Sequence, residues 1–252
     1  MVRIHFLGTN GWYDTDTGST ICIAIEHPRF SIVLDAGNGI HKLGALADKD
    51  LPVYIFLSHL HLDHVCGLHV LNKFSFSKPV NIFVPDGQQK YIELLLKPPF
   101  SLGPERLSFP VHFHELPADI GALPFEAEVF AMNHTVPTLA IRMQLEGKTI
   151  AYCPDTGLCE NAVQAAKDAD LLIAESAYLP GQNYPHWPHL NPESAATLAV
   201  RANARKLFLV HFDASAISPW KTGRTGSRPP AKSSAWQKLL VMGYWLISLK
   251  QH

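Results

Sequence analysis

Apolar residues along this chain fall into short runs separated by Gly, Pro, Asn and Asp, and several runs alternate with polar positions. A period of two is the mark of a strand with one buried face, while short unbroken apolar runs suit strands buried on both faces. Strands are predicted at 2–7, 21–26, 31–35, 53–57, 80–84, 125–131, 138–145, 147–152, 170–174 and 206–210. Helical spacing is predicted near 39–47, 65–73, 86–96, 159–168 and 192–204. The last helix has a well-formed start: Asn191 can cap it, Pro192 suits the first turn and Glu193 favours the dipole. Alanines then dominate, as expected of a helix packed closely on a sheet. No internal repeat is visible, and the pattern by itself gives a mixed α and β protein.

The run 53–57 is followed at once by Ser58-His59-Leu60-His61-Leu62-Asp63-His64. Alternate positions of an extended segment can aim at one point, so His59 and His61 can converge while Asp63 and His64 face a second point in the turn. Neutral imidazole nitrogen and carboxylate oxygen are common zinc ligands. One histidine here would be read as a solvated strand end, but three with a carboxylate at this spacing read as a metal cluster. Three more metal-capable side chains follow apolar runs in the same way. His134 comes after 125–131, Asp155 after 148–152 and His211 after 206–210.

Composition narrows the setting. With 252 residues, 47% hydrophobic and 17% charged, the chain can bury a large core. A formal net charge of −1 gives no global pull towards nucleic acid or an anionic membrane. The alternating start lacks the apolar core of a signal peptide, and no apolar run has the length of a membrane span, so a cytoplasmic location is expected. Cys22, Cys66, Cys153 and Cys159 show neither a disulfide framework nor paired Cys-x-x-Cys knuckles. Cys66 and Cys153 lie near the metal-capable residues, but packing is their expected role.

The pattern His-x-His-x-Asp-His resembles the signature of the metallo-β-lactamase superfamily, whose later ligands are likewise a His, an Asp and a His in that order. The resemblance runs from about residue 2 to 213. It implies an α/β fold of αββα type: two mixed β-sheets face to face, helices on both outer faces and metals at one edge. It implies one domain over 1–252. It also implies a site for two divalent ions, zinc first, with Mn2+, Fe2+ or Co2+ as alternatives. His59, His61 and His134 would hold one ion, Asp63, His64 and His211 the other, and Asp155 would bridge them.

Branch-level residues point further. Pro188-His189-Leu190-Asn191-Pro192-Glu193 ahead of Leu209-Val210-His211-Phe212 resembles the ribonuclease Z-like branch. Thr135-Val136-Pro137 and Leu172-Ile173-Ala174-Glu175 fit it as well. The implied activity is a dinuclear metal-dependent phosphodiesterase. Asp63 would align the attacking water or take its proton, and His189 would stabilise the oxyanion or protonate the leaving oxygen. Glu175 has two readings, a support for His189 or a solvated strand-end carboxylate. Gly8–Trp12 and Asp35–Gly39 are either structural turns or substrate contacts, with Asp35 a candidate support behind the ligands. The eight remaining histidines, at 5, 27, 41, 69, 112, 114, 186 and 252, are expected on the surface or satisfied in the core.

Two departures from ribonuclease Z matter. The stretch 138–152 reads as a plain hairpin, leaving no room for the basic arm that grips tRNA. The expected partner is therefore a small phosphodiester or short RNA, with tRNA and membranes disfavoured and a homodimer open. The segment Ser218 to Pro230 is basic and rich in breakers, and residues 214–252 are atypical; a phosphate-touching loop, a disordered tail and a reading-frame slip all remain open. Rival readings are a same-fold hydrolase of a lactone, thioester or sulfate ester, and a non-catalytic metal-binding protein.

Overall fold

The computed structural model of the chain describes residues 2–217 and 246–248; the basic segment 218–230 and His252 lie outside the described residues. The alternating runs build two six-stranded sheets. The first comprises β1 (Arg3–Gly8), β3 (Cys22–His27), β4 (Phe30–Leu34), β5 (Val53–Phe56), β6 (Val80–Pro85) and β7 (Val111–Leu116), in the spatial order β1-β3-β4-β5-β6-β7. The second comprises β8 (Ala127–Ala131), β9 (Leu139–Leu145), β10 (Lys148–Cys153), β11 (Leu171–Glu175), β12 (Lys206–Val210) and β14 (Leu246–Ser248), in the order β14-β12-β11-β10-β9-β8. Two short strands, β2 (Asn10–Gly11) and β13 (Phe212–Asp213), pair with each other in parallel.

Alternation along each strand sorts the core into three layers. Ile23, Ile25, Phe30, Ile32, Leu34 and Phe56 of the first sheet meet Ile141, Met143, Ile150, Tyr152, Ile173 and Val210 of the second in a shared inner layer. The outward neighbours Ala24, Val33, Val53, Ile55 and Ile82 pack under the 3-10 helices Asn38–Ala45 and Cys66–Lys73, together with Ile92 of α2 (Gln89–Leu95). Ala151, Leu172, Ala174, Leu207 and Leu209 pack against α3 (Glu160–Ala166) and α4 (Pro192–Arg201). The layering is αββα, as expected. Burying an aliphatic side chain is worth about 1.5–3 kcal/mol, and a slip of one residue would turn a strand's buried set to the wrong layer, so the register is strongly determined.

Within each sheet a run of neighbouring strands is parallel: β4, β5, β6 and β7 in the first, β10, β11 and β12 in the second. Parallel strands bring their carboxyl ends to one edge, which is where ligands bind in open α/β sheets. The capping of α4 follows the sequence expectation. The Asn191 side chain accepts Ser194 N–H at 2.8 Å while Ser194 Oγ accepts Asn191 N–H at 2.9 Å.

Three expectations change. The strand β7 escaped the hydrophobic pattern because Val111-His112-Phe113-His114-Glu115-Leu116 is half polar; it survives as the edge of its sheet by pairing with β6. The helices expected at 39–47 and 65–73 are mostly 3-10, with true α-helix confined to α1 (Leu62–Val65) ahead of the second. A further short helix, α5 (Ala214–Ile217), follows β13. The plain hairpin holds. Glu146 and Gly147 take positive φ of 50° and 71° between paired Leu145 and Lys148, a two-residue turn that leaves no inserted arm between β9 and β10.

Candidate metal centre

All seven metal-capable side chains singled out in the sequence stand together at the carboxyl edge of the two sheets. His59, His61, Asp63 and His64 leave the end of β5, His134 follows β8, Asp155 follows β10 and His211 follows β12. His59, His64, Asp155 and His211 are buried, so the cluster lies inside the edge and not on its surface.

The atoms separate into two groups around the Asp155 carboxylate. On one side His59 Nε2 lies 3.0 Å from His61 Nδ1, and His61 Nδ1 lies 3.3 Å from His134 Nε2. Asp155 Oδ2 faces this group, 3.8 Å from His59 Nε2 and 3.9 Å from His134 Nε2. On the other side Asp63 Oδ2 lies 3.2 Å from His211 Nε2 and 3.9 Å from His64 Nε2. Asp155 Oδ1 faces that group, 3.4 Å from both His64 Nε2 and His211 Nε2. Ligand atoms about 2.1 Å from a tetrahedral cation stand about 3.4 Å apart, so both groups have the spread of a coordination shell. His64 Nε2 and Asp155 Oδ1 are buried without a hydrogen-bond partner, although each unsatisfied buried group costs about 1–3 kcal/mol. A divalent cation on each side would satisfy them. The donor set, imidazole nitrogen and carboxylate oxygen, fits such an ion chemically.

A layer of hydrogen bonds holds these groups from behind. Asp35, fully buried at the end of β4, accepts Ser58 N–H at 2.7 Å through Oδ1. Its Oδ2 accepts Ser58 Oγ–H at 2.9 Å and Tyr152 O–H at 2.5 Å, and lies 2.9 Å from His64 Nδ1. Ser58 Oγ is in turn 3.0 Å from His59 Nδ1. Anchoring Nδ1 in this way leaves Nε2 of His59 and of His64 directed at the centre. On the second sheet Glu175 is buried and not solvated: its Oε1 lies 2.8 Å from His189 Nδ1 and accepts Thr156 N–H at 2.9 Å. His189 is brought close as well, its Nδ1 3.9 Å from Asp155 Oδ2. It forms a third possible grouping with Asp155 and His211.

Charge is unevenly distributed between the two sides. Burial holds the imidazoles of His59 and His61 below their ordinary value, and pushes His134 down to about 4, Asp155 only partly opposing it. These three are neutral at pH 7 and ready to donate a lone pair. Burial also disfavours charge on His64 and His211, but Asp155, with Asp35 beside His64 and Asp63 beside His211, outweighs it and raises both. Burial works against the Asp63 carboxylate too, yet the His211 hydrogen bond and the nearby His64 hold it well below the usual carboxylate range. Asp155 is lowered in the same manner, burial being overcome by His211, His64 and His59.

The loop Gly8–Trp12, left between structural turn and substrate contact by the sequence, does more than turn. A Cβ on Gly11 would stand 2.5 Å from His211 Cε1, so only glycine lets the imidazole lie against this backbone. Trp12 takes φ +63°, its N–H donates to Asp63 Oδ2 at 2.6 Å, and its ring lies 5.5 Å from that of His189 and 5.4 Å from that of His211. The residue pattern singled out the loop but gave Trp12 no role of its own, because that role depends on β2 pairing with β13 directly after His211. Gly37 is similar: its Cβ would meet Asp63 O at 2.3 Å. Cys66 and Cys153 stay outside the cluster. Cys66 Sγ lies 3.3 Å from Asn38 Oδ1, and Cys153 is buried beside Ala162 O.

Comparison with known proteins bears on the family and the fold. A family model described as "Beta-lactamase superfamily domain" matches residues 31–212. An uncharacterized protein of Mycobacterium tuberculosis is 30% identical over 234 residues, covering 87% of this chain and 82% of the relative. The ribonuclease Z of Pyrococcus abyssi is 27% identical over 290 residues, covering 92% and 93%. Among solved structures, the short form of human tRNase Z superposes with a TM-score of 0.69 at 23% identity, covering 86% of this chain and 94% of that one. At that identity the superposition speaks for the fold.

Proposed function

As a member of the β-lactamase superfamily with relatives named ribonuclease Z, the chain carries a known fold and a candidate two-metal edge, and we propose that it is a dinuclear metal-dependent phosphodiesterase. The observation that carries this reading is the division of Asp155: one carboxylate oxygen faces His59 and His134, the other faces His64 and His211. In this reading His59, His61 and His134 hold one ion, Asp63, His64 and His211 the other, and Asp155 both. Such ions, zinc first among them, supply Lewis acidity that brings the pKa of water to about 7 and offsets phosphoryl charge.

The chain's own residues do the rest. Asp63, a carboxylate at any ordinary pH, aligns the attacking water as a hydrogen-bond acceptor; its low proton affinity makes it a weak base. His189 has Nδ1 engaged by Glu175, so Nε2 is the free nitrogen, and in the imidazolium form it carries the proton that goes to the leaving oxygen or stabilises charge on the phosphoryl group. With no arm between β9 and β10, the substrate we propose is a small phosphodiester or short RNA and not a precursor tRNA.

The test is substrate profiling of the zinc-loaded protein with bis(p-nitrophenyl) phosphate beside carboxyl-ester and thioester substrates, with His189→Ala as control. Phosphodiester turnover that falls in His189→Ala supports the assignment. Strong thioester turnover with no phosphodiester turnover would sink it in favour of the same-fold esterase.

A further inference from the structure

We propose that the aromatic cleft beside His189 is a subsite for the nucleobase of a nucleoside phosphodiester, an inference that rests on the phosphodiesterase reading of the adjoining centre. The cleft has a volume of about 450 Å3 and is lined by Trp12, Tyr178, Tyr184 and Trp187, with Asp213 among its polar groups. Tyr184 and Trp187 are each 54% exposed and Trp12 39%. Three large aromatic side chains left to water on neighbouring loops are costly to solubility and favour a planar ligand that covers them.

The exposure is built in. Tyr178 O–H donates to Trp187 O at 2.5 Å, Trp187 N–H to Tyr184 O at 2.9 Å and Tyr178 N–H to Leu190 O at 3.0 Å. These bonds fold the segment 178–190 back on itself and hold its aromatic residues at the mouth. The rings of Tyr178 and Tyr184 meet edge to face with centroids 5.1 Å apart. A second cavity of about 350 Å3 shares Tyr184 with the cleft and is lined as well by His189 and by amides such as Asn133, Gln182 and Asn183. Trp12, Tyr178 and Trp187 line the cleft and not this second cavity.

Trp12 and Tyr178 link the cleft to the centre. Trp12 ties it to Asp63 through its backbone N–H, and the rings of Trp12 and Tyr178 lie 5.5 and 5.6 Å from that of His189. A phosphodiester at Asp155 would place a ribose-linked base on these rings. Bases stack on aromatic faces whatever their sequence, and removing the aromatic weakens binding about five- to 150-fold per base. Asp213, two residues after His211, adds discrimination. A carboxylate only accepts, and although its Oδ1 already takes Ser215 N–H at 2.8 Å, it has capacity for a second donor. Exocyclic amines, as on cytosine and adenine, are such donors, and uracil lacks one.

Calorimetry on the zinc-loaded full chain tests this with cytidine, adenosine and uridine 5′-monophosphates against ribose 5-phosphate, which has the same sugar and phosphate without a base. We expect cytidine and adenosine monophosphates to bind about tenfold or more tightly than ribose 5-phosphate, in line with one stacked base. Trp187→Ala should remove most of that advantage and leave ribose 5-phosphate binding as it was, and Asp213→Asn should erase the preference for cytidine over uridine monophosphate. Equal affinity for nucleotides and ribose 5-phosphate overturns the subsite, as does an advantage that survives in Trp187→Ala and in Tyr184→Ala. If Trp187→Ala does not fold, judged by circular dichroism and zinc content, Trp187→Leu takes its place. Cleavage of bis(p-nitrophenyl) phosphate without any base preference would refute the subsite alone; base-dependent binding with no phosphodiester turnover would refute the activity alone. A cyclic mononucleotide and a short oligoribonucleotide, compared by KM in wild type and Trp187→Ala, identify which source brings the base, and a KM independent of Trp187 for both overturns the proposal.

Discussion

His189 Nδ1 lies 2.8 Å from Glu175 Oε1, and both side chains are buried at the edge where the two sheets meet. Glu175 is itself fixed by Thr156 N–H on Oε1 and Ala177 N–H on Oε2, each at 2.9 Å. The carboxylate is thus oriented by the backbone beyond β10 and β11, and it sets both the tautomer and the direction of the imidazole.

Glu175→Gln should therefore lower kcat about ten- to a hundredfold while zinc content stays at the wild-type level. His189→Ala should cost more, about 10²–10⁴ in kcat, as loss of an acid–base group does. Steady-state kinetics with metal analysis of the same samples checks both; a Glu175→Gln protein that has lost its zinc would place Glu175 among the metal supports.

Asp35 receives four donors in the core: Ser58 N–H, Ser58 Oγ–H, Tyr152 O–H and His64 Nδ1–H. Asp35→Ala leaves them without an acceptor, each at about 1–3 kcal/mol, and frees His64 to turn. Urea unfolding should show a loss of several kcal/mol, and chelator competition a fall of about 10–100-fold in zinc affinity. Unchanged zinc affinity would mean that His64 does not depend on its Asp35 contact.

Asp155→Asn should reduce the metal bound per chain and weaken both groups at once, since its two oxygens face different sides. In wild type, zinc at about a hundred times Kd should add about 2.7 kcal/mol to stability and raise Tm, and EDTA should reverse it. Asp155→Asn should show little of this shift. Mass spectrometry under native conditions gives the stoichiometry directly.

The buried thiols set an alkaline limit. Burial pushes Cys153 up to about 12 and raises Cys22 further, with Asp35 contributing at Cys22. In the unfolded chain both ionise near 8.5, so above that pH the unfolded state sheds protons that the native state retains. Their contribution is fully present below pH 8 and declines as pH rises towards the folded values. Denaturation midpoints should fall between pH 9 and 11, and neither thiol should react with a maleimide at pH 8 until the chain unfolds. Labelling of Cys22 or Cys153 in the native protein would contradict the burial.

Much of this was legible in the chain. The run 53–57 and the cluster from His59 to His64 could be read because both strand periodicity and metal chemistry are local, set by side-chain alternation and by residue type at a strand end. His134, Asp155 and His211 were legible for the same reason, each following its own apolar run. The capping of α4 by Asn191 is equally local. Strand β7 was missed because an edge strand needs only one partner and tolerates the polar side chains that blur its pattern.

Tertiary structure decided what distance in sequence conceals. It placed Asp155 between two nitrogen groups drawn from β5, β8 and β12, turned Glu175 from a candidate surface carboxylate into the buried partner of His189, and made Asp35 the anchor of His64 and Tyr152. It also brought Trp12 onto Asp63, His189 and His211, which no spacing could announce. The physical reason is common to all four. Strand and ligand types follow from the residues at hand, whereas burial, orphaned polar atoms and shared carboxylates exist only once parallel strands from two sheets end at the same edge.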